Sequence, residues 1–284
     1  MSRFREEIIG NQRLVLADCL EYLPGLEAGS VDFVFADPPY GHNNNNGDLI
    51  ARWESALSME AVPEEEWRPI ANDGPEANKL FRAVLPELRR VLQPGCCCCC
   101  CGGGGGPDPQ CARWSLWLDE VFDFKQMVVW DKGPMGMGWH YRRSYETVLV
   151  GQMPGAACHW YDTTNRVENI IRPGFAPKII PSTDQHPTEK PPQLAAHFML
   201  LHSLPGHLVL DPFLGSGSTL AAAELLGRRG IGIEIEPKYF DLALRRVEAA
   251  TKQARLEFES RLPGTNEAGK FADPQQALAF GEDH

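Results

Sequence analysis

Short apolar runs rich in β-branched residues alternate along this chain with longer stretches in which apolar positions recur every three or four residues. That alternation predicts an α/β sheet with crossover helices. "RLVLAD" (13–18) and "VDFVFAD" (31–37) read as strands that each end on an aspartate. "NKLFRAVLPELRRVL" (78–92) reads as a helix closed by the turn "QPG", so a strand is due directly afterwards. "CARWSLWLDEVF" (111–122) is the next helix, "FKQMVVWD" and "ETVLVGQ" are strands, and "PPQLAAHFMLLHSL" (191–204) is a further helix. "HLVLDPFLGSGSTLAAAELLG" gives strand, glycine turn and helix, and "RGIGIEIEPKYFDLALRRVEAA" gives a strand ending acidic, then a helix. The fold expected is a doubly wound, mostly parallel, Rossmann-like α/β sheet. Residues 41–76 form an Asn-, acid- and Pro-rich insertion, 152–185 is irregular, and the chain turns polar and fraying after about residue 251.

The strand due after "QPG" is written in cysteine: Cys96 to Cys101 hold six of the nine cysteines, followed by five glycines. A metal motif is not expected there. Same-face sulfurs at i and i+2 start roughly 6.6 Å apart in an extended chain, whereas two thiolates on one zinc each lie about 2.3 Å from the ion. The remaining cysteines, Cys19, Cys111 and Cys158, offer no second spaced pair. Disulfides are not expected between adjacent residues either. Reduced cysteine is a small apolar residue, so the run is expected to be a buried strand.

At 284 residues and 43% hydrophobic composition the chain can fill one large core. The N-terminus "MSRFREEIIGNQ" has no apolar signal segment, and no run approaches the roughly 18 apolar residues of a membrane span. A cytoplasmic location without membrane partners is expected. The net charge of −11 at first counts against nucleic acid. Its distribution changes that picture: Lys and Arg against Asp and Glu number 11 to 20 over residues 1–130, 6 to 5 over 131–185, and 10 to 13 over 186–284. Only the middle segment lacks an acidic excess. It carries "DKGPMGMGWHYRRSYE" (131–146), in which Trp139, His140 and Tyr141 adjoin Arg142 and Arg143. Aromatics interleaved with arginine suit a nucleic-acid face, although a glycine-rich loop capping the sheet would look similar.

Two motifs carry candidate chemistry. "DPFLGSGST" places Gly215 and Gly217 between a strand and a helix, where backbone can approach a nucleotide-like ligand. No lysine precedes Ser218 and Thr219, so it is not a P-loop, and Leu220 stands where G-x-G-x-x-G needs its third glycine. Glu234 ends the next strand, where a carboxylate can accept from both ribose hydroxyls, so a nucleoside fits better than a pyrophosphate. "ADPPYG" ends a strand with the acceptor Asp37, the rigid pair Pro38 and Pro39, and the aromatic Tyr40. The Asp37 carboxylate and the Pro38 carbonyl can both accept from one amino group. Accepting both protons of a base's exocyclic amine favours a pyramidal nitrogen with a localised lone pair, and Tyr40 would stack on the base.

Together these residues resemble the amino-methylating DNA methyltransferases, which act on adenine N6 or cytosine N4 with S-adenosylmethionine. "RLVLADCLEYL" with "SVDFVFADPPYG", "LRRVLQPG", "HPTEKPPQL", "VLDPFLGSGST" and "GIGIEIEPKYF" match family motifs, in the order of the permuted subgroup with the catalytic motif first and the cofactor glycines last. The resemblance spans most of residues 10–250. It implies that Asp37, Pro38, Pro39 and Tyr40 are catalytic. It also implies that Asp18 meets the cofactor adenine and Glu234 its ribose, that Asp211, Phe213, Gly215, Ser216, Gly217 and Thr219 line the cofactor pocket with Asp37, and that Thr188 and Lys190 lie near its methionine end. No metal is implied.

The resemblance further implies double-stranded DNA as partner, with the target base flipped out of the stack, and a restriction-modification setting; a homodimer is left open. Residues 152–185, with Arg166, Arg172 and Lys178, occupy the place of target recognition. The implied organisation is a catalytic half (1–131), a loop and recognition segment (132–185), a cofactor half (186–250) and a tail (251–284). Adenine N6 is preferred because Asp rather than Ser opens the catalytic motif, with cytosine N4 as the alternative. A nicotinamide-dependent oxidoreductase would need far more chain than the 67 residues after Gly217, and the intact Asp37 and glycines oppose a non-catalytic nucleic-acid-binding relic.

Overall fold

The computed structural model describes residues 3–41, 70–102, 110–133, 144–172 and 190–253. In chain order its elements are β1 (Arg5–Ile9), β2 (Gln12–Leu16), α1 (Cys19–Tyr22), a 3-10 turn (Leu23–Gly25), β3 (Val31–Ala36), α2 (Ala77–Val91), β4 (Leu92–Gly102), α3 (Gln110–Val121), β5 (Asp123–Asp131), β6 (Tyr145–Gln152), β7 (Ile170–Ile171), α4 (Pro192–His202), β8 (Leu208–Asp211), α5 (Ser218–Leu225), β9 (Arg229–Glu234) and α6 (Pro237–Lys252). The strands form one sheet in the order β1-β2-β9-β8-β3-β4-β6-β5-β7. The run from β2 to β4 is parallel throughout, β5 pairs β7 in parallel, and the β1–β2, β4–β6 and β6–β5 pairs are antiparallel.

The helices follow from their apolar stripes. In α2, Phe81, Val84, Leu85, Leu88 and Val91 fall on one face and are buried. Arg90 locks that helix to the 3-10 turn by donating to the carbonyls of Leu23 and Leu26, each at 2.7 Å. Every residue of the mostly apolar α4 is buried, including the polar Gln193, His197 and His202. α2 packs on α3, while α5 packs on both α4 and α6. No helix among the described residues is long and apolar enough to cross a membrane.

The cysteine run lies where the pattern placed it, in β4 between β3 and β6, and each of the six side chains is at most 1% exposed. All nine cysteines are free thiols. Two details differ from the sequence reading. "QPG" is not a turn ahead of the strand: β4 begins at Leu92, and the extra residues are absorbed as a bulge, because Val31 pairs Leu92 while Phe33 pairs Cys97. The sulfurs of Cys98 and Cys100 also lie only 3.4 Å apart, so the two same-face side chains tilt towards each other rather than standing at Cα spacing.

Three short elements escaped the pattern: β1, the one-turn α1, and β7 within the irregular stretch. β1 is a mostly exposed edge strand with charged residues, and β7 has two residues, so neither writes a periodicity. The tail beyond 253 and most of the 41–76 insertion lie outside the described residues.

Burial of the run has a direct chemical readout. A native, reduced chain should react with a thiol reagent at two positions, the exposed Cys158 and the partly exposed Cys111, and at all nine only after denaturation. Rapid native labelling within Cys96–Cys101 would contradict the buried strand.

Candidate active site

Four adjacent parallel strands, β2, β9, β8 and β3, each end in a loop that lines one cavity: Ala17 to Cys19 after β2, Glu234 to Glu236 after β9, Pro212 to Ser216 after β8, and Asp37 to Tyr40 after β3. Ile70 to Asp73 and Lys190 complete the wall. The chain leaves β8 through α5 towards β9, and leaves β3 through α2 towards β4, on the opposite side. The β8/β3 boundary is therefore a switch point, where such sheets open a crevice at their carboxyl ends.

On the β3 side the centre is a chain of charges that runs from the buried Lys190 through the half-buried Asp37 and Glu146 to the exposed Lys132. Lys190 Nζ lies 2.9 Å from Asp37 Oδ2 and 3.3 Å from Glu146 Oε2, and Lys132 Nζ lies 2.7 Å from Glu146 Oε1. The Tyr40 hydroxyl donates to Asp37 Oδ1. Burial pushes the Asp37 carboxyl above its ordinary value although Lys190 and Tyr40 act to lower it. Burial disfavours the Lys190 ammonium, but Asp37 and Glu146 outweigh it and raise the group above an ordinary lysine. Burial likewise disfavours the Glu146 carboxylate, and the two lysines overcome it and hold the group below the usual range.

On the β8 and β9 side, Glu234 accepts from the backbone N–H of Gly215 and of Glu236, both at 2.8 Å. Burial nonetheless raises it to about 7. Asp211 accepts from the Phe213 N–H at 2.9 Å, and burial raises it to about 7 against that bond and one from Thr219. Two carboxyls raised by burial thus sit in one cavity. Asp18 caps α1 by accepting from the Leu20 N–H at 2.8 Å. Asp73 accepts from the Gly41 N–H at 2.8 Å, tying the returning chain to the loop after Tyr40.

Asp18, Asp37, Pro38, Pro39, Tyr40, Lys190, Asp211, Phe213, Gly215, Ser216, Thr219 and Glu234, expected at the site from sequence, all line this cavity. Gly217 does not. It sits behind the wall at φ 84°, and a Cβ there would lie 2.9 Å from Ala243 Cα, so it lets α5 begin hard against α6. Lys190, expected near the methionine end of the cofactor, pairs with Asp37 and Glu146. Tyr40 is buried, with the Lys190 ammonium 4.9 Å from its ring centre and Trp114 at 6.1 Å. Arg166 and Arg172 are exposed and away from the cavity, and Arg172, just after the edge strand β7, pairs with Glu168. Thr188, Trp139, His140, Tyr141, Arg142 and Arg143 lie outside the described residues.

Glu146 and Lys132 were not picked out as site residues from sequence. The available signal was a glutamate opening the otherwise buried strand "ETVLVGQ", a position where an unpaired charge is costly. A second omission concerns sulfur. Cys158 is distant in sequence from every other cysteine, yet its Sγ lies 3.6 Å from Cys97 Sγ, a contact that the spacing of the cysteines did not suggest. Chain spacing could not reveal it, because the approach is made across the bulge of β4.

The N6/N4 family profile, described as DNA methylase, matches residues 31–245. The DNA adenine methyltransferase YhdJ of Escherichia coli K12 is 28% identical over 270 residues, covering 84% of this chain and 83% of the relative. The type II methyltransferase M2.DpnII of Streptococcus pneumoniae is 27% identical over 259 residues, covering 83% and 89%. Among solved structures, the TTHA0409 protein of Thermus thermophilus, complexed with S-adenosyl-L-methionine, has a TM-score of 0.59 at 23% identity, covering 85% of this chain and 96% of its own. The PvuII cytosine-N4-specific DNA methyltransferase has a TM-score of 0.63 at 17% identity, covering 88% and 90%. At these identities the two structures speak to the fold.

Gly217 offers a test of the cavity's rear wall. Gly217→Ala combines an unfavourable left-handed φ with a Cβ against Ala243, and should cost on the order of 1–3 kcal/mol. The measure is the melting midpoint of the ligand-free chain; an unchanged midpoint would contradict this packing.

Proposed function

This chain belongs to the N6/N4 DNA methylase family, and from that membership we propose that it transfers a methyl group from S-adenosylmethionine to adenine N6 in double-stranded DNA. The observation that carries the proposal is the meeting, in one cavity, of the Asp37 acceptor, paired with the buried Lys190, and the Glu234 carboxylate at the glycine turn. Adenine is preferred because Asp37 opens the motif and because YhdJ is named a DNA adenine methyltransferase.

The cavity suits the cofactor chemically. Burial holds Glu234 at about 7 against its backbone donors, so the two hydroxyls of a ribose would add hydrogen bonds that favour the ionised carboxylate. Ile235, a large and partly exposed apolar side chain beside it, and Phe213 offer surface to an adenine ring. When bound, S-adenosylmethionine supplies an electrophilic methyl on a sulfonium.

The protein's own work is then to ready the amine. Asp37 accepts from the exocyclic amine and stabilises the positive charge that grows on its nitrogen, an interaction strongest in the transition state. Tyr40 fixes one oxygen of that carboxylate. Lys190 favours its ionised form against burial, and Glu146 draws off part of the lysine's charge so that Asp37 remains a good acceptor. An Asp37 raised by burial is also a better acceptor for the proton the methylated amine releases. DNA would be gripped by residues 132–185, with Trp139, His140, Tyr141, Arg142, Arg143, Arg166 and Arg172 as the basic and aromatic set, in the cytoplasm where such DNA is met.

Nucleoside mass spectrometry of DNA from cells expressing the chain tests the reaction: N6-methyladenine is expected, N4-methylcytosine would shift the target, and neither would end the proposal. Asp37→Ala should lower methyl transfer at least about a hundredfold while cofactor binding persists. Arg142→Ala with Arg143→Ala should instead weaken DNA binding and flatten its salt dependence.

Cofactor affinity should also depend on pH. Glu234 must be ionised to accept both hydroxyls, and burial holds it at about 7, so affinity should rise from about pH 6 to about pH 8. Glu234→Ala should weaken binding by roughly 1–3 kcal/mol and remove most of that dependence. Calorimetry across this range is the check, and a flat profile in the unmodified chain would contradict the assignment.

A further inference from the structure

At the far end of β4 from the cavity, three segments converge on a cluster of sulfur and imidazole. Cys97 pairs Phe33, four residues before Asp37, which is roughly 13 Å along a strand. Among the described residues, one set of three His, Cys or acidic side chains has its ligand atoms close enough to share an ion: Cys97, Cys158 and His202, all within 4.8 Å of one another. Cys97 and His202 are buried, whereas Cys158 is exposed, which leaves an entry path from solvent.

We propose that Cys97, Cys158 and His202 form a binding site for a thiophilic divalent cation of the zinc type. Two thiolates at about 2.3 Å from a tetrahedral ion stand about 3.8 Å apart; the two sulfurs here stand 3.6 Å apart. A disulfide would require about 2.05 Å. His202 Nδ1 lies 3.2 Å from the His159 carbonyl oxygen, which can only accept, so Nδ1 carries the proton and the neutral ring keeps its lone pair on Nε2. Three protein ligands leave one position for water, as in open zinc sites. Binding would release the thiol protons of Cys97 and Cys158 to solvent.

The scaffold holds the three residues in place without a metal. The Gly95 N–H donates to Met153 O at 2.9 Å, Met153 N–H to Cys96 O at 2.8 Å, and His159 N–H to Gly95 O at 2.9 Å, so the segment bearing Cys158 runs against β4. The Tyr161 N–H donates to Leu201 O at 2.9 Å, fixing the same segment to the end of α4. Gly95 makes the approach feasible: its φ is 86°, and a Cβ there would meet the Ala157 carbonyl at 2.3 Å. Phe33 stacks on one side of the His202 ring with centroids 6.0 Å apart, and Trp160 meets it edge-on at 5.2 Å. The bulge that "QPG" writes into β4 is thus the feature that brings Cys158 to Cys97.

The test uses the full chain, demetallated and fully reduced under anaerobic conditions, titrated with Co2+ and then Zn2+. One equivalent of cobalt should give a thiolate-to-metal charge-transfer band with the intense visible bands of a tetrahedral site, and zinc should displace it. Cys158→Ser, at an exposed position, should weaken cobalt binding at least about a hundredfold. His202→Asn can keep the bond to His159 but lacks Nε2, and should weaken binding too. Cys111→Ser should change nothing. Zinc should raise the melting midpoint of the unmodified chain but not of Cys158→Ser. Absence of the charge-transfer band at one equivalent, or its persistence in Cys158→Ser, would overturn the site. A chain that takes up no metal when reduced but forms a Cys97–Cys158 disulfide on mild oxidation would make this a redox pair, and the metal assignment would fall. None of these readouts depends on methyl transfer.

Discussion

The parallel pairing of β3 with β8 is the constraint on which the candidate site depends. Phe33 pairs Val209 and Val34 pairs Leu210, a contact between segments far apart in the chain. Because side chains alternate strictly along a strand, a slip of one residue would turn Asp37 or Asp211 away from the crevice. The register is held from below by apolar side chains: Phe33, Phe35, Val209 and Leu210 are essentially inaccessible to water. Asp32 adds a polar tie at the other end, accepting from the Leu208 N–H at 2.7 Å and from the Gln93 amide at 3.1 Å. Hydrophobic burial therefore sets which strands are neighbours, and a few directed hydrogen bonds set how they align.

Given that alignment, burying two acids and a lysine beside β3 becomes tolerable and specific. A lone carboxylate at Asp37 would be neutralised by its surroundings; a lone ammonium at Lys190 would be too. Together they remain charged only while both stay in place, and Glu146 and Lys132 extend the alternation outwards to solvent. Such a chain is weak evidence of net stability, since desolvation can cancel the attraction. Its worth lies in orientation. It draws the loop after β3, the start of β6, the end of β5 and the residue ahead of α4 to one point, and none of these is a sequence neighbour of another except β5 and β6.

Much of this was readable in the sequence where a period or a motif was written. The strands ending at Asp37, Asp211 and Glu234, the helices Ala77–Val91 and Pro192–His202, and the acid at the end of β9 all follow from apolar spacing and turn residues. What sequence could not give is what only the third dimension brings together. Glu146 looks like an ordinary strand start until Lys190 arrives from 44 residues away. Gly217 looks like a ligand-facing glycine, because its left-handed φ is equally needed for a helix to approach its neighbour. Cys158 looks solitary because its partner belongs to a run whose other members are sealed in the core.

The cysteine strand shows how far composition can drift while packing is kept. A central strand must fill space on both faces and expose no unpaired polar group, and reduced cysteine meets both demands, though with less volume than the aliphatics that usually occupy such strands. The missing volume has to come from neighbours, and here it does. The largest side chains fully removed from water include Trp114, Phe33, Phe35, Phe81 and Phe198, which lie on the elements flanking β4. Phe35 packs against Phe198 at 5.9 Å, and Phe81 stacks on Trp114 at 4.2 Å. Small residues on the strand and aromatic ones around it interdigitate as large and small layers must at close packing. The strand's identity in cysteine is therefore not a free choice at each position but half of a volume match, whose other half is written in β3 and the helices.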